Sequence, residues 1–195
     1  MDVQRRILLV RHGHSAHTSR AGWLDAAGVL RWRDAYDAAG ILDDSHPPPE
    51  LIAEAATADC LVASDMPRAI ASAERLAPGK EVRVLPLIRE MYLDLPAWVR
   101  ARWPLRVWEV CIHAHWIAQE LRRGIAIPGE LERAARAVES LEVTSREAAT
   151  MVVVTHGAFR RLLALRLVAR GWTAGARTGG YSNWSVWRFS NGDGA

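Results

Sequence analysis

The stretch ILLVRHG, residues 7–13, decides the fold of this chain. Its four apolar residues lie between two arginines and predict a short buried strand, and the glycine that follows favours a turn. A second stretch, MVVVTHG at residues 151–157, has the same arrangement of a β-branched apolar run that ends in Thr-His-Gly. Binding sites in parallel sheets form at the carboxyl ends of the strands, so both His-Gly pairs are candidates for one site.

Strands and helices are predicted to alternate along the rest of the chain. Further strands are predicted at residues 59–63, 81–85 and 183–189. Helices are predicted at residues 26–39, 67–76, 105–122, 129–147 and 158–169, the first after an Asp25 N-cap and the second opened by Pro67. Residues 45–50, SHPPPE, read as a stiff connector. This alternation indicates an α/β fold, a three-layer sandwich with a mainly parallel sheet flanked by helices.

The length of 195 residues suits a single domain that spans residues 1–195. Residues 91–128 are less regular at their start and are predicted to form a helical cap inserted into that domain. They hold four of the nine tryptophans, Trp98, Trp103, Trp108 and Trp116. Tryptophans in such a segment belong more often to the core than to a binding surface.

Composition excludes several classes of protein. The net charge is +3 and the arginines are spread along the chain, so a nucleic-acid groove is not indicated. The two cysteines, Cys60 and Cys111, form no CxxC motif, which argues against a disulfide framework or a thiolate zinc site. The chain has neither a signal-peptide pattern at its start nor an apolar run that could span a membrane. A cytoplasmic protein without a membrane partner is therefore expected.

The residues at the two strand ends have the chemistry of an oxyanion site. Arg11 offers a planar fork that pairs with phosphate or carboxylate, and Gly13 lets a ligand approach the backbone. The neutral imidazole of His12 is a nucleophile toward phosphorus once the charge of a phosphate is neutralised. His156 and Gly157 open a helix, where free backbone N–H groups favour an anion.

Two further segments add a cation and a carboxylate. Residues 63–69 place Arg68 near the start of a helix that follows a strand, and residues 87–90 place Glu90 in a mainly apolar setting suited to proton transfer. Asp65 and Asp94 are competing acids. Glu90 could also serve only to hold an arginine.

Taken together, these motifs resemble the histidine phosphatase superfamily, which has the phosphoglycerate-mutase-like fold. The resemblance rests on motifs whose order and spacing agree over nearly the whole chain except residues 91–128: Arg11-His12-Gly13, Ser15, the Leu-x-x-x-Gly of residues 24–28, the Ser-x-x-x-Arg-Ala of residues 64–69, the Leu-x-x-Glu of residues 87–90, and His156-Gly157. One departure follows the Arg-Ala block, where Ala71-Ser72 replaces the usual Gln-Thr.

The resemblance implies a metal-independent phosphomonoester hydrolase that works without a cofactor. His12 would be the phosphorylated nucleophile, and Glu90 would protonate the leaving oxygen and then assist water. His156 would bind the phosphoryl oxygens and stabilise charge in the transition state. The substrate-binding set would comprise Arg11, Gly13, Ser15, Arg68 and Gly157. The implied partner is a phosphorylated small molecule, and the oligomeric state is open, with a homodimer among the options.

Three other functions stay open on the sequence. A phosphoglycerate-type phosphomutase shares all these groups and needs extra basic residues in the cap, for which Arg100, Arg102 and Arg106 are candidates. A non-catalytic phospho-ligand binding protein on the same fold is expected to have lost a histidine or an arginine, and this chain has lost neither. A metal-binding module of His12, His14 and His17 lacks acidic or thiolate co-ligands nearby. If the enzyme is a phosphatase, the tryptophan-bearing cap could select a bulky or apolar leaving group.

Overall fold

The computed structural model describes residues 4–18, 22–91, 95, 99–123 and 128–191. Within this part the strands are β1 (Arg5–Arg11), β2 (Trp23–Leu24), β3 (Cys60–Ala63), β4 (Val82–Val84), β5 (Trp103–Pro104), β6 (Thr150–Thr155), β7 (Thr173–Thr178) and β8 (Val186–Asn191). The helices are α1 (Ala26–Ala38), α2 (Pro49–Ala56), α3 (Pro67–Leu76), α4 (Leu105–Arg123), α5 (Pro128–Thr144) and α6 (Phe159–Ala169). A single 3-10 turn covers Pro86–Ile88.

Six strands form one mixed sheet in the order β4-β3-β6-β1-β8-β7, and β2 pairs with β5 in a small separate sheet. The four strands β4, β3, β6 and β1 are parallel, whereas β8 and β7 are antiparallel to their neighbours. The predicted α/β fold with a mainly parallel sheet is confirmed. The two strands that end in His-Gly are direct neighbours, because Arg11 lies opposite Thr155.

The alternation of side chains along β1 explains the layers. Ile7 and Leu9 point into a core shared with α5 and α6, and Leu8 and Val10 point into a core shared with α2 and α3. All four side chains are fully buried. A strand covered on both faces reads as a continuous apolar run, as this one does.

Most predicted elements are present, and the differences lie at turns and at the sheet edge. Asp25 caps α1 as expected, since its Oδ1 accepts a hydrogen bond from the Gly28 amide at 2.7 Å. The prediction that residues 45–50 are only a connector was wrong at its end, where α2 begins at Pro49. The last strand begins at Val186 rather than at residue 183, because residues before it form a turn in which Trp184 has a φ of 61°. The edge strand β7 was not predicted.

A third, smaller core joins residues of the predicted cap to the start of α1. Trp108 is fully buried there with Val29 and Val99, and its indole N–H donates to the Leu24 carbonyl at 2.8 Å. Trp103 is half-buried against the same group. Trp98 and the side chain of Trp116 lie outside the described residues. No helix in the described ranges is long and apolar enough to cross a membrane.

Candidate active site

The carboxyl ends of β1 and β6 bring two histidines together. The His12 amide donates to the Thr155 carbonyl at 3.0 Å, which continues the pairing of the two strands by one residue. The imidazole rings of His12 and His156 lie with their centroids 5.1 Å apart, and both side chains are buried. The ladder of the parallel sheet therefore sets the spacing of the two rings.

The orientation of the His12 ring follows from one hydrogen bond. Its Nδ1 lies 2.7 Å from the Gly13 carbonyl oxygen, and because a carbonyl only accepts, Nδ1 carries the proton. The lone pair is then on Nε2. Burial lowers the pKa of His12 to about 3, and the positive charges of Arg68 and Arg11 act in the same direction, against the Gly13 hydrogen bond. The ring is neutral at pH 7.

Gly13 lies where a side chain has no room. A Cβ at this position would be 2.5 Å from the Trp184 ring and 2.8 Å from the Ser45 hydroxyl. Ser45 in turn accepts hydrogen bonds from the Trp184 indole at 3.0 Å and from the His14 amide at 2.8 Å. The glycine predicted from the motif is thus required by the packing beneath the loop.

Two polar side chains hold the same loop from either side. Asn183 donates through Nδ2 to the carbonyls of His12, at 2.8 Å, and Gly13, at 3.0 Å. The Ser72 hydroxyl accepts from the Gly13 amide at 2.8 Å and donates to the Arg68 carbonyl at 2.5 Å. Because the Gly13 carbonyl also binds His12 Nδ1, Asn183 helps to fix the acceptor that orients the ring.

Arg68 is fully buried at the start of α3. Its NH1 donates to the Tyr36 carbonyl at 3.0 Å and pairs with the Asp37 carboxylate at 3.1 Å. This pair gives the guanidinium a structural role as well. Its Nε is buried and has no hydrogen-bond partner within the described residues.

Among the described residues, the guanidinium of Arg11 is held by a backbone carbonyl and not by a carboxylate. Its NH1 donates to the Tyr181 carbonyl, and no carboxylate of the described residues forms an ion pair with it. Gly157 gives the guanidinium room, since a Cβ there would lie 3.3 Å from Arg11 Cζ and Nε. The Nε of Arg11 is also buried without a partner in the described ranges.

His156 is held by the segment that carries Arg68. Its Nε2 lies 2.9 Å from the Ser64 hydroxyl, and its Nδ1 is buried with no partner among the described residues. Burial lowers the pKa of His156 well below its ordinary value, and the neighbouring His12 ring and the positive charges of Arg68 and Arg11 add to that effect. This ring is also neutral at pH 7.

Glu90 lies beside the start of α6. Its carboxylate accepts hydrogen bonds from the amides of Met91 at 3.0 Å, Phe159 at 2.9 Å and Ala158 at 3.3 Å. The Thr155 hydroxyl donates to the Ile88 carbonyl at 2.8 Å and so ties this segment to β6. The carboxylate therefore lies next to the His156-Gly157 turn.

The competing acids have other surroundings. Asp65 forms an ion pair with Arg89. Asp94 lies outside the described residues. Arg133 donates to the backbone carbonyls of Leu87 and Arg89, both at 2.9 Å, and fixes the segment that ends in Glu90.

The remaining residues considered for phosphate or metal binding, His14, Ser15 and His17, lie in the loop after Gly13. The Ser15 hydroxyl accepts from the His17 amide at 3.2 Å, within its own loop. His14 is exposed and His17 is half-buried. In the described part of the chain, no group of three or more His, Cys, Asp or Glu side chains is arranged to hold a metal ion.

Several residues of this site were not singled out in the sequence. Ser72 stands where the resembled family usually has threonine, and that correspondence was the one available signal for it. Asn183, Trp184 and Ser45 carry no local motif, and they reach the His12 loop from more than 30 positions away in the chain.

Comparison with known proteins identifies the family of this chain. Residues 49–194 match the model of the histidine phosphatase superfamily (branch 1), and the chain belongs to that superfamily. The matched range begins after the Arg11-His12-Gly13 motif, so the place of His12 in the site rests on the structure. No curated protein matches the sequence.

Solved structures of the same fold have low sequence identity to this chain. A mycobacterial glucosyl-3-phosphoglycerate phosphatase in complex with VO3 aligns with a TM-score of 0.55 at 20% identity, over 94% of this chain and 92% of that one. A phosphoserine phosphatase variant from Entamoeba histolytica with phosphoserine gives 0.52 at 17%, over 94% and 89%. A phosphoglycerate mutase from Bacillus anthracis gives 0.51 at 16%, over 98% and 89%. At these identities the likeness concerns the fold.

Proposed function

We propose that this protein is a metal-independent phosphomonoester hydrolase that acts through a phosphohistidine on His12. The observation that carries the proposal is a set of three buried nitrogen atoms without partners in the described residues: Nε of Arg11, Nε of Arg68 and Nδ1 of His156. An unsatisfied buried polar group costs about 1–3 kcal/mol. Three of them beside one neutral imidazole favour a ligand with several acceptor oxygens, such as a phosphoryl group.

In the first step, His12 Nε2 attacks phosphorus. The N–P bond forms as the bond from phosphorus to the ester oxygen breaks, and the two arginines offset the charge on the phosphoryl oxygens. A Ser64 hydroxyl that donates to His156 Nε2 leaves a proton on Nδ1, which then donates to one of those oxygens. In the second step, water attacks phosphorus, the N–P bond breaks, and inorganic phosphate is released with neutral His12.

Glu90 is the proposed proton carrier. The neutral acid gives its proton to the ester oxygen as that bond breaks, and the resulting carboxylate takes a proton from the attacking water. Its contacts with the amides that begin α6 keep it beside His156. The competing explanation is that Glu90 only caps this helix. Glu90→Gln separates the two, because glutamine keeps an acceptor for the Phe159 amide and has no acidic proton.

The experiment measures phosphate release from p-nitrophenyl phosphate and from an alkyl phosphate, for the wild type, His12→Gln and Glu90→Gln. We expect His12→Gln to lose at least about 10³-fold in kcat and to trap no phosphoryl group after an acid-free denaturing quench. Glu90→Gln should slow the alkyl ester far more than the p-nitrophenyl ester, whose leaving group needs no proton. Wild-type activity in His12→Gln contradicts the mechanism. An equal loss of kcat/KM on both esters contradicts the role of Glu90 as the acid that protonates the leaving oxygen, because kcat/KM reports the first step.

The same preparation tests the other functions. The solved neighbours named for phosphoserine and for glucosyl-3-phosphoglycerate support a phosphorylated small molecule as the substrate class. Transfer of the phosphoryl group to an added acceptor without phosphate release would instead indicate a phosphomutase. The basic residues considered for a phosphomutase are all exposed: Arg100, Arg102 and Arg106. Phosphate binding without turnover of any ester would indicate a binding protein, and activity abolished by a chelator would indicate a metal.

A further inference from the structure

Three aromatic rings form a cluster between the loop after His12 and helix α1. Trp32 and Tyr36 are one helical turn apart and stack with centroids 5.2 Å apart at an interplanar angle of 18°. The His17 ring is 5.5 Å from the Trp32 ring and 6.5 Å from the Tyr36 ring. We refer to His17, Trp32 and Tyr36 as the aromatic cluster.

The aromatic cluster is joined to the candidate phosphate site through Arg68. The guanidinium carbon of Arg68 lies 4.4 Å from the centre of the Tyr36 ring, and its NH1 donates to the Tyr36 carbonyl. Burial raises the pKa of the Tyr36 phenol, while the charges of Arg68 and Arg11 lower it and that of Glu90 raises it. The phenol therefore lies within the electrostatic reach of the groups assigned to the phosphoryl group and to the leaving oxygen.

Core packing does not account for these rings. Helix α1 buries only Gly28 and Val29, and none of the three rings belongs to, or packs against, the three hydrophobic cores of the described residues. All three rings are half-buried. The Trp32 Nε1 and His17 Nε2 atoms are covered and have no hydrogen-bond partner in the described ranges. A half-exposed aromatic surface next to a charged site is typical of ligand binding.

Trp108, a tryptophan of the predicted cap, does not belong to the aromatic cluster. Trp108 is buried against the start of α1, where its indole binds the Leu24 carbonyl. This contact fixes the helix that carries Trp32 and Tyr36. The aromatic surface beside the phosphate site therefore comes from α1 itself and from the His12 loop.

We propose that the aromatic cluster binds the leaving alcohol and gives the enzyme a preference for phosphomonoesters of flat, aromatic alcohols over those of small polyols. The proposal rests on the proposed function and names the substrate class of that site. The phosphoryl group would lie against Arg68 and Arg11, and the alcohol would extend along Tyr36 and Trp32. A lost aromatic contact of this kind corresponds to about a tenfold change in affinity.

The test compares steady-state hydrolysis of 1-naphthyl phosphate and of glycerol 2-phosphate by the wild type, Trp32→Ala and Trp32→Phe. We expect Trp32→Ala to raise KM for the naphthyl ester about tenfold and to change KM for the glycerol ester by less than about twofold, with kcat retained. Trp32→Phe should restore most of the naphthyl affinity. Leu165→Ala, at an exposed apolar residue on α6, is the surface control and should change neither KM.

The outcomes separate this proposal from the proposed function. Equal losses on both esters would show that Trp32 only supports Arg68, and no change on either would show that the alcohol lies elsewhere; both results overturn the proposal. If the wild type hydrolyses neither ester, the proposed function fails, and calorimetric titration of the two esters into wild type and Trp32→Ala then tests the cluster. Selective loss of naphthyl phosphate binding supports it, and equal binding by both proteins refutes it. Thermal unfolding checks that each variant is folded.

Discussion

Removal of one hydroxyl, in Ser72→Ala, should uncouple the His12 loop from the helix that carries Arg68. The Ser72 hydroxyl is fully buried and joins the Gly13 amide, at 2.8 Å, to the Arg68 carbonyl, at 2.5 Å. Alanine leaves the Gly13 N–H buried without an acceptor, which costs about 1–3 kcal/mol. The Trp184 ring and the Ser45 hydroxyl already fill the space next to the Gly13 Cα. The loop therefore cannot move toward them to find a new acceptor for the Gly13 N–H.

This cost has two measurable consequences. In a chain of this length, about 1–3 kcal/mol corresponds to a fall of roughly 2–12 °C in the melting temperature. If the displaced loop also misplaces His12, kcat/KM falls by about fivefold to a hundredfold, since each tenfold step corresponds to about 1.4 kcal/mol. Calorimetry and hydrolysis of p-nitrophenyl phosphate measure the two effects on the same samples.

Two further variants make the interpretation of Ser72→Ala specific. Ser72→Thr keeps the hydroxyl and should retain most of the activity. Thr144→Ala removes a comparable hydroxyl bond within α5, where Thr144 Oγ1 donates to the Ser140 carbonyl at 3.0 Å, and should leave kcat/KM unchanged. Wild-type activity and stability in Ser72→Ala would refute the reasoning, and so would an equal loss in Ser72→Thr.

Two more predictions concern the orientation and charge of His12. Asn183→Ala removes both hydrogen bonds to the His12 and Gly13 carbonyls. We therefore expect kcat for p-nitrophenyl phosphate to fall about tenfold or more, with KM little changed. An unchanged kcat would show that His12 is oriented without Asn183. The pKa of His12 is about 3 when folded and near 6.5 when unfolded, so the unfolded chain binds the extra proton between those values. Its contribution to stability is full above pH 6.5 and is lost as the pH falls toward 3. Denaturant unfolding of His12→Gln should therefore show a weaker fall in stability over this range than the wild type, with His156 responsible for part of the remainder.

The sheet was predictable from sequence wherever burial imposed a pattern. The strand β1 is covered on both faces, and its run of apolar residues could be read directly. By contrast, β7 is exposed along its whole length at the edge of the sheet, so the sequence TAGART has no apolar alternation that would reveal it. The start of α2 was hidden by a proline at its first position, a residue that fits equally well in a stiff connector.

The candidate site could be predicted only as far as local motifs reach. His12, Arg68, Glu90 and His156 follow strands or open helices, and the topology of a parallel sheet brings such positions to one edge. The groups that set their geometry come from distant parts of the chain and depend on close packing. Asn183 illustrates this, because nothing in its neighbourhood along the sequence shows that its amide reaches the carbonyl that orients His12.

The aromatic residues show that composition points to a core more readily than to a binding surface. Tryptophans are concentrated in residues 91–128, where the sequence favoured a role in the core and left an aromatic surface of the cap as the alternative. The structure buries Trp108, and it stacks Trp32 on Tyr36, one turn apart on α1, with the Tyr36 ring against Arg68. The i, i+4 spacing was visible in the sequence, but only the approach of α1 to α3 through the Arg68–Asp37 pair shows which ring lies next to a cation. Under the two proposals made above, the strand ends set the phosphate chemistry, and the helix that packs against them sets the fit of the alcohol.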